Sequence, residues 1–383
     1  MGAYLLRRLW LMVPTVWGIL TVTFFVIQFV PGGPLEQMKN RLEGRDTAGG
    51  EVAAATAGGP GAGLKEGRRT VSREDMDRLR AVYHLDRPLW ERYVRTFLWF
   101  SRRDPAEPFP AALCRRANWD GMLAGQFGDS FYRNRNVLQL MMEKFPVSLS
   151  LGLWSFILSY PLCVILGIAK AVRNGSRFDT ASSALVLAGY SIPGFVLAVL
   201  LIVLLGPGDA AVAHWLPLSG LTSAGEPGYA TWSAGRKTLD YFRHLAGPLL
   251  CLNLGSFAVL TFLTKNSFLE EVRKQYVVTA RAKGLSRRRV LYGHVFRNAM
   301  IPLVTDFPAS FLAVFFTGSI LIEKIFNLDG MGLLGYTAVV QRDYPVVMGI
   351  LFLTTLIGLA GQLLTDLGYV LVDPRISFEK AEG

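Results

Sequence analysis

Six long apolar stretches divide this chain, at residues 9–30, 147–169, 181–205, 245–263, 301–322 and 346–371. Each is close to the roughly 20 residues a helix needs to cross a bilayer core, where every backbone N–H and C=O must be satisfied inside the helix. The pattern predicts an all-α, polytopic membrane protein with six transmembrane helices. The first stretch is too long for a signal-peptide core and lacks a small-x-small cleavage site, so it is expected to persist as a helix.

Between the stretches the pattern changes. Residues 44–67 are rich in Gly and Ala, without the apolar residues that would offset the entropy of ordering, and read as a flexible loop. Ser72 begins a helix pattern, with Glu74, Asp75 and Asp77 in its first turns and Leu79, Val82 and Tyr83 at helical spacing. From Pro88 to Phe100 an amphipathic piece carries Leu89, Tyr93, Phe97 and Phe100 on one face, aromatics suited to a membrane interface. Pro14, Pro161, Pro193 and Pro308 each lack a helix-forming N–H and are expected to kink their spans.

Charge orients the predicted bundle. Arg7 and Arg8 precede the first span, and Lys170, Arg173 and Arg177 lie between the second and third. Nine Lys and Arg residues from Lys265 to Arg297 lie between the fourth and fifth, opposed only by Glu270 and Glu271. With six spans these regions share one side, which the positive-inside rule makes the cytoplasm, together with both termini. The expected organisation is residues 1–30, N-terminus and first helix; 31–145, an external segment; 146–371, a core of five helices with a cytoplasmic loop at 265–300; and 372–383, a tail. The net charge of +11 is thus mostly topology, and nucleic-acid binding explains it poorly. Three cysteines and four scattered histidines give neither a disulfide framework nor metal-ligand spacing. Asp306, Glu323 and Asp366 fall near predicted span ends and read as interfacial carboxylates rather than coupling-ion ligands.

The loop after the fourth span is too polar to re-enter a bilayer and too patterned to be disordered. Phe268, Val272, Tyr276, Thr279 or Ala280, and Lys283 or Gly284 follow helical spacing. Ala280 and Gly284 lie four apart, which predicts a face nearly without side chains that another backbone can approach. Gly284 also suits a sharp helix end, with Ser286 placed to cap the next turn of chain. Arg281 and Lys283 are free to pair with acidic groups on a soluble partner. An interfacial helix holding lipid phosphates is the equally available alternative.

The run Tyr276-Val-Val-Thr-Ala-Arg-Ala-Lys-Gly284, continued to Pro302, resembles the "EAA" loop of binding-protein-dependent ABC importer permeases of the oligopeptide/dipeptide branch. Tyr4-Leu-Leu-Arg-Arg-Leu9 through Pro31-Gly-Gly-Pro34, Tyr83-His-Leu-Asp-Arg-Pro-Leu89 and Phe127-Gly-Asp-Ser130 resemble the same branch in order. So do Pro146-Val-Ser-Leu-Ser-Leu-Gly152, Gly330-Met-Gly-Leu-Leu-Gly335, Arg342-Asp-Tyr-Pro345 and Leu371-Val-Asp-Pro-Arg-Ile376. The stretch from Lys265 to Gly284 is most similar to inner-membrane permeases of microcin C/peptide importers. Val278 and Thr279 depart from the general motif, which has Glu and Ala there.

The resemblance implies a type I importer permease in the bacterial inner membrane. Its implied partners are a second homologous permease, two cytoplasmic ABC ATPase domains, a periplasmic solute-binding protein and a peptide substrate. Tyr276, Thr279, Ala280, Arg281, Ala282, Lys283 and Gly284 would form the ATPase-coupling helix. The chain has no G-x-x-x-x-G-K-[ST] phosphate loop, so ATP and magnesium are expected on the partner ATPases, with no catalytic, cofactor or metal site here. The rival classes are a single-chain secondary carrier or channel, and an intramembrane enzyme. No repeat between the halves supports the first, and no nucleophile–base pair inside the spans supports the second.

Overall fold

A computed structural model describes residues 2–29, 88–98, 135–206, 219–313 and 320–372, with shorter pieces at 122, 125–130, 132–133 and 216–217. The expected loop at 44–67, the helix from Ser72 and Cys114 lie outside the described residues. Among those described, regular structure is helical: α1 (Gly2–Phe29), α2 (Leu89–Leu98), α3 (Val137–Val172), α4 (Arg177–Ser191), α5 (Gly194–Leu205), α6 (Ala234–Val272), α7 (Gln275–Ala282), α8 (Arg287–Val290), α9 (Phe296–Ala299), α10 (Ile301–Ala313), α11 (Ile320–Ile325), α12 (Met331–Val340) and α13 (Tyr344–Val372). A five-residue π-helix, Leu291–Val295, joins α8 to α9. The all-α membrane fold expected from the apolar blocks is the fold observed.

Among the described residues four helices are long and apolar enough to cross a membrane: Leu6–Val26, Val137–Val172, Ala234–Val272 and Tyr344–Gly368. The third expected span is instead a broken pair, Arg177–Ser191 and Gly194–Leu205, bent by 90°. The break has a local cause. Pro193 offers no N–H and forces the residue before it out of helical conformation, and Ile192 is extended (φ −91°, ψ 118°). Pro14, Pro146, Pro161, Pro248 and Pro308 lie inside helices, so proline position alone did not locate the break. The fifth expected span is helical from Ile301 to Ala313, and residues 314–319 are outside the description. Four spans, or five with the bent pair, are therefore accounted for among the described residues.

The chain divides into two compact units, one of Met1–Met12, Glu143–Leu334 and Thr354–Gly383, the other of Val13–Met142 and Gly335–Leu353. In the smaller unit Tyr93 of α2 shares a 2.6 Å hydrogen bond with Thr21 and packs on the rings of Phe24 and Phe25. The expected interfacial aromatic of α2 therefore meets α1. Phe127 and Ser130 are buried there, Phe127 against Phe352 and Ser130 bonded to the Asp343 carboxylate.

In the larger unit α6 approaches α3 and α5 closely. A Cβ added to Gly167 of α3 would stand 2.5 Å from Thr264 Cβ and 2.8 Å from Thr261 O. One added to Gly194 would stand 2.6 Å from Cys251 O. Small residues at such crossings let helix backbones pack, the main source of association between helices in lipid. Gly167→Leu is accordingly expected to destabilise the bundle by roughly 1–3 kcal/mol through overpacking, read as a lowered unfolding temperature of the purified protein. Glu323 of α11 is fully buried; it accepts the Leu333 N–H at 2.6 Å, while Ser148 Oγ accepts the Met331 N–H at 2.8 Å. These two side chains cap the first turn of α12.

Candidate functional site

α6 has 39 residues, about 58 Å of helix at 1.5 Å per residue, against a hydrocarbon core of roughly 30 Å. A large part of it must project beyond the bilayer, and its C-terminal end carries the basic loop. The loop is not one continuous helix, as the spacing from Phe268 to Lys283 predicted. α6 stops at Val272, and Lys274 is extended (ψ 151°) before α7 begins. The break redirects the chain while its polar groups find partners: Tyr276 Oη donates to Glu271 at 2.7 Å, and Lys274 Nζ bonds the same carboxylate. The Glu271 carboxylate raises the Lys274 pKa above the ordinary lysine value. Burial is the main cause of the raised Tyr276 pKa.

α7 ends in a Schellman motif. Leu285 N donates to Ala280 O at 3.3 Å, Gly284 N donates to Arg281 O at 2.9 Å, and Gly284 has φ +79°. Ser286 then caps α8, accepting from Arg289 N at 3.4 Å. Both sequence signals, the glycine stop and the serine start, act as expected. The π-turn at Leu291–Val295 continues α8 into α9 without a break, its flanking residues Val290 and Phe296 both right-handed helical.

A small core fixes the loop to the bundle. Val277, Ala280, Val290, Val295 and Ala299 are buried together with Phe268 of α6 and Ala171 of α3, with Tyr276, Leu285 and Met300 packed around them. Each fully buried large apolar side chain contributes roughly 1.5–3 kcal/mol. Ser267 Oγ donates to Ala299 O at 2.6 Å, and Arg287 Nη2 to Val172 O at 3.2 Å. The loop is thus held at the ends of both α3 and α6.

This arrangement corrects the expected side-chain-poor face. Ala280 turns inward against the protein's own core, and Gly284 lies past the helix end, where a Cβ would meet nothing within 4 Å. Glycine serves there for its backbone conformation and not for close approach. The open face of α7 carries Val278, Thr279, Arg281 and Ala282, and Lys283 comes directly after it, all exposed. Val278, which departs from the general motif, is 57% exposed.

A second group beside this loop was not legible in the pattern. Lys170, Asp179 and Lys265 form an ion cluster joining α3, α4 and α6. Lys265 Nζ is 2.8 Å from each Asp179 carboxylate oxygen, and Lys170 Nζ is 3.2 Å from Oδ1. Lys170 is fully buried and also donates to Asp179 O, Ser182 Oγ and Ser183 Oγ. Charge counting assigned both lysines to topology, whereas here they hold the helix ends that carry the loop. The signal available in the sequence was Gly175-Ser176 before Asp179: Gly175 has φ +75°, Ser176 caps α4, and Gly175 N bonds Asp179 Oδ2 at 3.1 Å.

Among the described residues no group of three or more His, Cys, Asp or Glu could hold a metal ion. The fold and loop define a helical membrane protein presenting a short anchored helix at the ends of two long spans. Residues 163–378 match the family described as "Binding-protein-dependent transport system inner membrane component", and the chain belongs to that family. It is 46% identical over 390 residues to the "Peptidoglycan transport system permease protein YejB" of Agrobacterium fabrum, covering all of both chains. It is 45% identical to the "Inner membrane ABC transporter permease protein YejB" of Escherichia coli O157:H7, over 99% of this chain and 100% of that one. The "Dipeptide transport system permease protein DppB" of Escherichia coli K12 is 31% identical, over 98% and 99% of the two chains.

Proposed function

We propose that this chain is one of two permeases of an ATP-driven importer for peptides or peptide-like compounds, of the microcin C/peptide type. It would cross the inner membrane six times, with both termini in the cytoplasm. A periplasmic binding protein delivers the cargo, and two separate ATPase subunits hold ATP and magnesium. α7 is the coupling element.

The observation that carries this reading is the two-sided construction of α7. Val277 and Ala280 anchor it to the ends of α3 and α6, while Thr279, Arg281, Ala282 and Lys283 stand exposed. A helix so held moves with the spans, and a groove on an ATPase that grips its open face pulls the spans with it. Relatives named for peptidoglycan and dipeptide transport support a peptide-containing cargo.

Reconstitution tests the proposal. The chain, its partner permease and the ATPase are placed in liposomes with a loaded binding protein outside. Peptide uptake is expected only with ATP inside. Uptake by this chain alone under an ion gradient would make it a secondary carrier and overturn the reading. Ligands retained by the cognate binding protein identify the cargo.

A further inference from the structure

From Arg287 to Ala299 the chain runs through α8, the π-turn and α9, and after Met300 it enters α10, the start of the fifth expected span. Its inner side packs at one level of the bundle. Val290, Val295 and Ala299 are buried together with Ala171 of α3 and Phe268 of α6. Ala171 lies two residues past the apolar stretch of α3, and Phe268 five past that of α6, about 3 Å and 8 Å of helix. A headgroup layer is roughly 5–8 Å deep on each side of the hydrocarbon. The segment therefore lies level with the headgroups, across the ends of both spans.

The π-turn decides which side chains face out. Phe296 N donates to Leu291 O, an i→i+5 bond, and Val290 and Val295, five apart, are both fully buried. Tyr292 is left 60% exposed, and Arg288, Arg289, Phe296 and Arg297 are exposed with it. Neighbouring cations are already engaged: Lys170 and Lys265 by Asp179, Lys274 by Glu271, Arg287 by Val172 O, and Arg173 by the Phe178 ring at 5.1 Å. Among the described residues no group engages the side chains of Arg288, Arg289 or Arg297. Aromatic rings interleaved with arginines at headgroup depth are the composition of a helix lying in a membrane interface. The open face of α7, with Thr279, Arg281 and Ala282, carries no ring.

We propose that the outer face of this segment binds anionic phospholipid of the cytoplasmic leaflet. Arg288, Arg289 and Arg297 take the headgroup phosphates, and Tyr292 and Phe296 seat among the headgroups. The basic loop is thus divided between two partners, α7 for the ATPase and this face for lipid. Lipid held there fixes the height of the loop in the membrane, so that a pull on α7 moves the spans instead of tilting the loop. The proposal rests on the cytoplasmic placement of the loop in the reading above, and not on the cargo being a peptide.

The test uses the complete transporter in liposomes, with its native cysteines replaced and a fluorophore on Tyr292→Cys. Quenching is compared between phosphatidylglycerol and phosphatidylcholine, each carrying a nitroxide near its glycerol. Phosphatidylglycerol is expected to be preferred by about fivefold or more, the scale of a single arginine near an anionic headgroup. Replacing the three arginines together (Arg288→Gln, Arg289→Gln, Arg297→Gln) is expected to abolish the preference while the ATPase still co-purifies. Equal quenching by the two lipids in the otherwise unaltered transporter would overturn the proposal. So would a fluorophore that neither lipid quenches until the ATPase is stripped away, which would give this face to the ATPase. Labelling of Tyr292→Cys by an impermeant maleimide from outside intact spheroplasts would overturn the cytoplasmic placement itself, and the lipid site with it.

Discussion

Replacing Gly284 with valine abolishes substrate uptake while the permease remains in the membrane at its normal level. Gly284 has φ +79°, where a β-branched residue is strained by about 1–3 kcal/mol. The strain is relieved only by releasing the cap, in which Leu285 N bonds Ala280 O and Gly284 N bonds Arg281 O. Releasing it frees Leu285 from the loop core and lets the end of α7 drift, so the exposed face no longer keeps one position relative to α3 and α6. Because a Cβ at 284 would meet nothing within 4 Å, the defect is conformational and not steric. Asparagine tolerates this conformation better than other non-glycine residues, so Gly284→Asn is expected to retain most of the uptake. Uptake per inserted permease, with the membrane fraction measured by immunoblot, separates the two. Equal uptake by wild type and Gly284→Val would remove α7 as the coupling element.

Replacing Asp179 with alanine produces the largest expected loss of stability. It leaves the buried Lys170 and the largely buried Lys265 facing each other without their shared anion. Removing one member of a buried ion cluster typically costs about 3–5 kcal/mol, since the remaining charge stays desolvated. The unfolding temperature of the purified permease is expected to fall by more than about 5 °C, on the scale by which such losses move unfolding midpoints. Adding Lys265→Met to Asp179→Ala is expected to restore part of it, because Lys170 keeps Ser182 and Ser183 as acceptors. Such non-additivity is the signature of coupled neighbours. If the single and double variants unfold together, the cluster does not hold these helix ends.

The sequence carried the architecture well wherever one local rule decided it. Long apolar blocks marked the spans because lipid leaves the backbone no other partner. Gly284 and Ser286 marked the end of one helix and the start of the next, because each satisfies groups within its own turn. The rest depended on what packs against what. Pro193 broke a span whereas Pro14, Pro161 and Pro308 lie inside helices, a difference the residue type does not contain. Ala280 looked like part of an open small face because spacing does not say which side of a helix meets its own protein. Lys170 and Lys265 were counted as loop charges because Asp179 reaches them only through the tertiary approach of three helices.

Crosslinking from single cysteines along α7 tests the central claim most directly, in a full transporter whose native cysteines are replaced. Thr279→Cys and Ala282→Cys, on the exposed face, are expected to capture the ATPase subunit with a yield that changes when ATP is added. Val277→Cys and Ala280→Cys, on the anchored face, should not. Capture from neither face, or the same nucleotide-independent yield from both, would contradict a coupling role for α7.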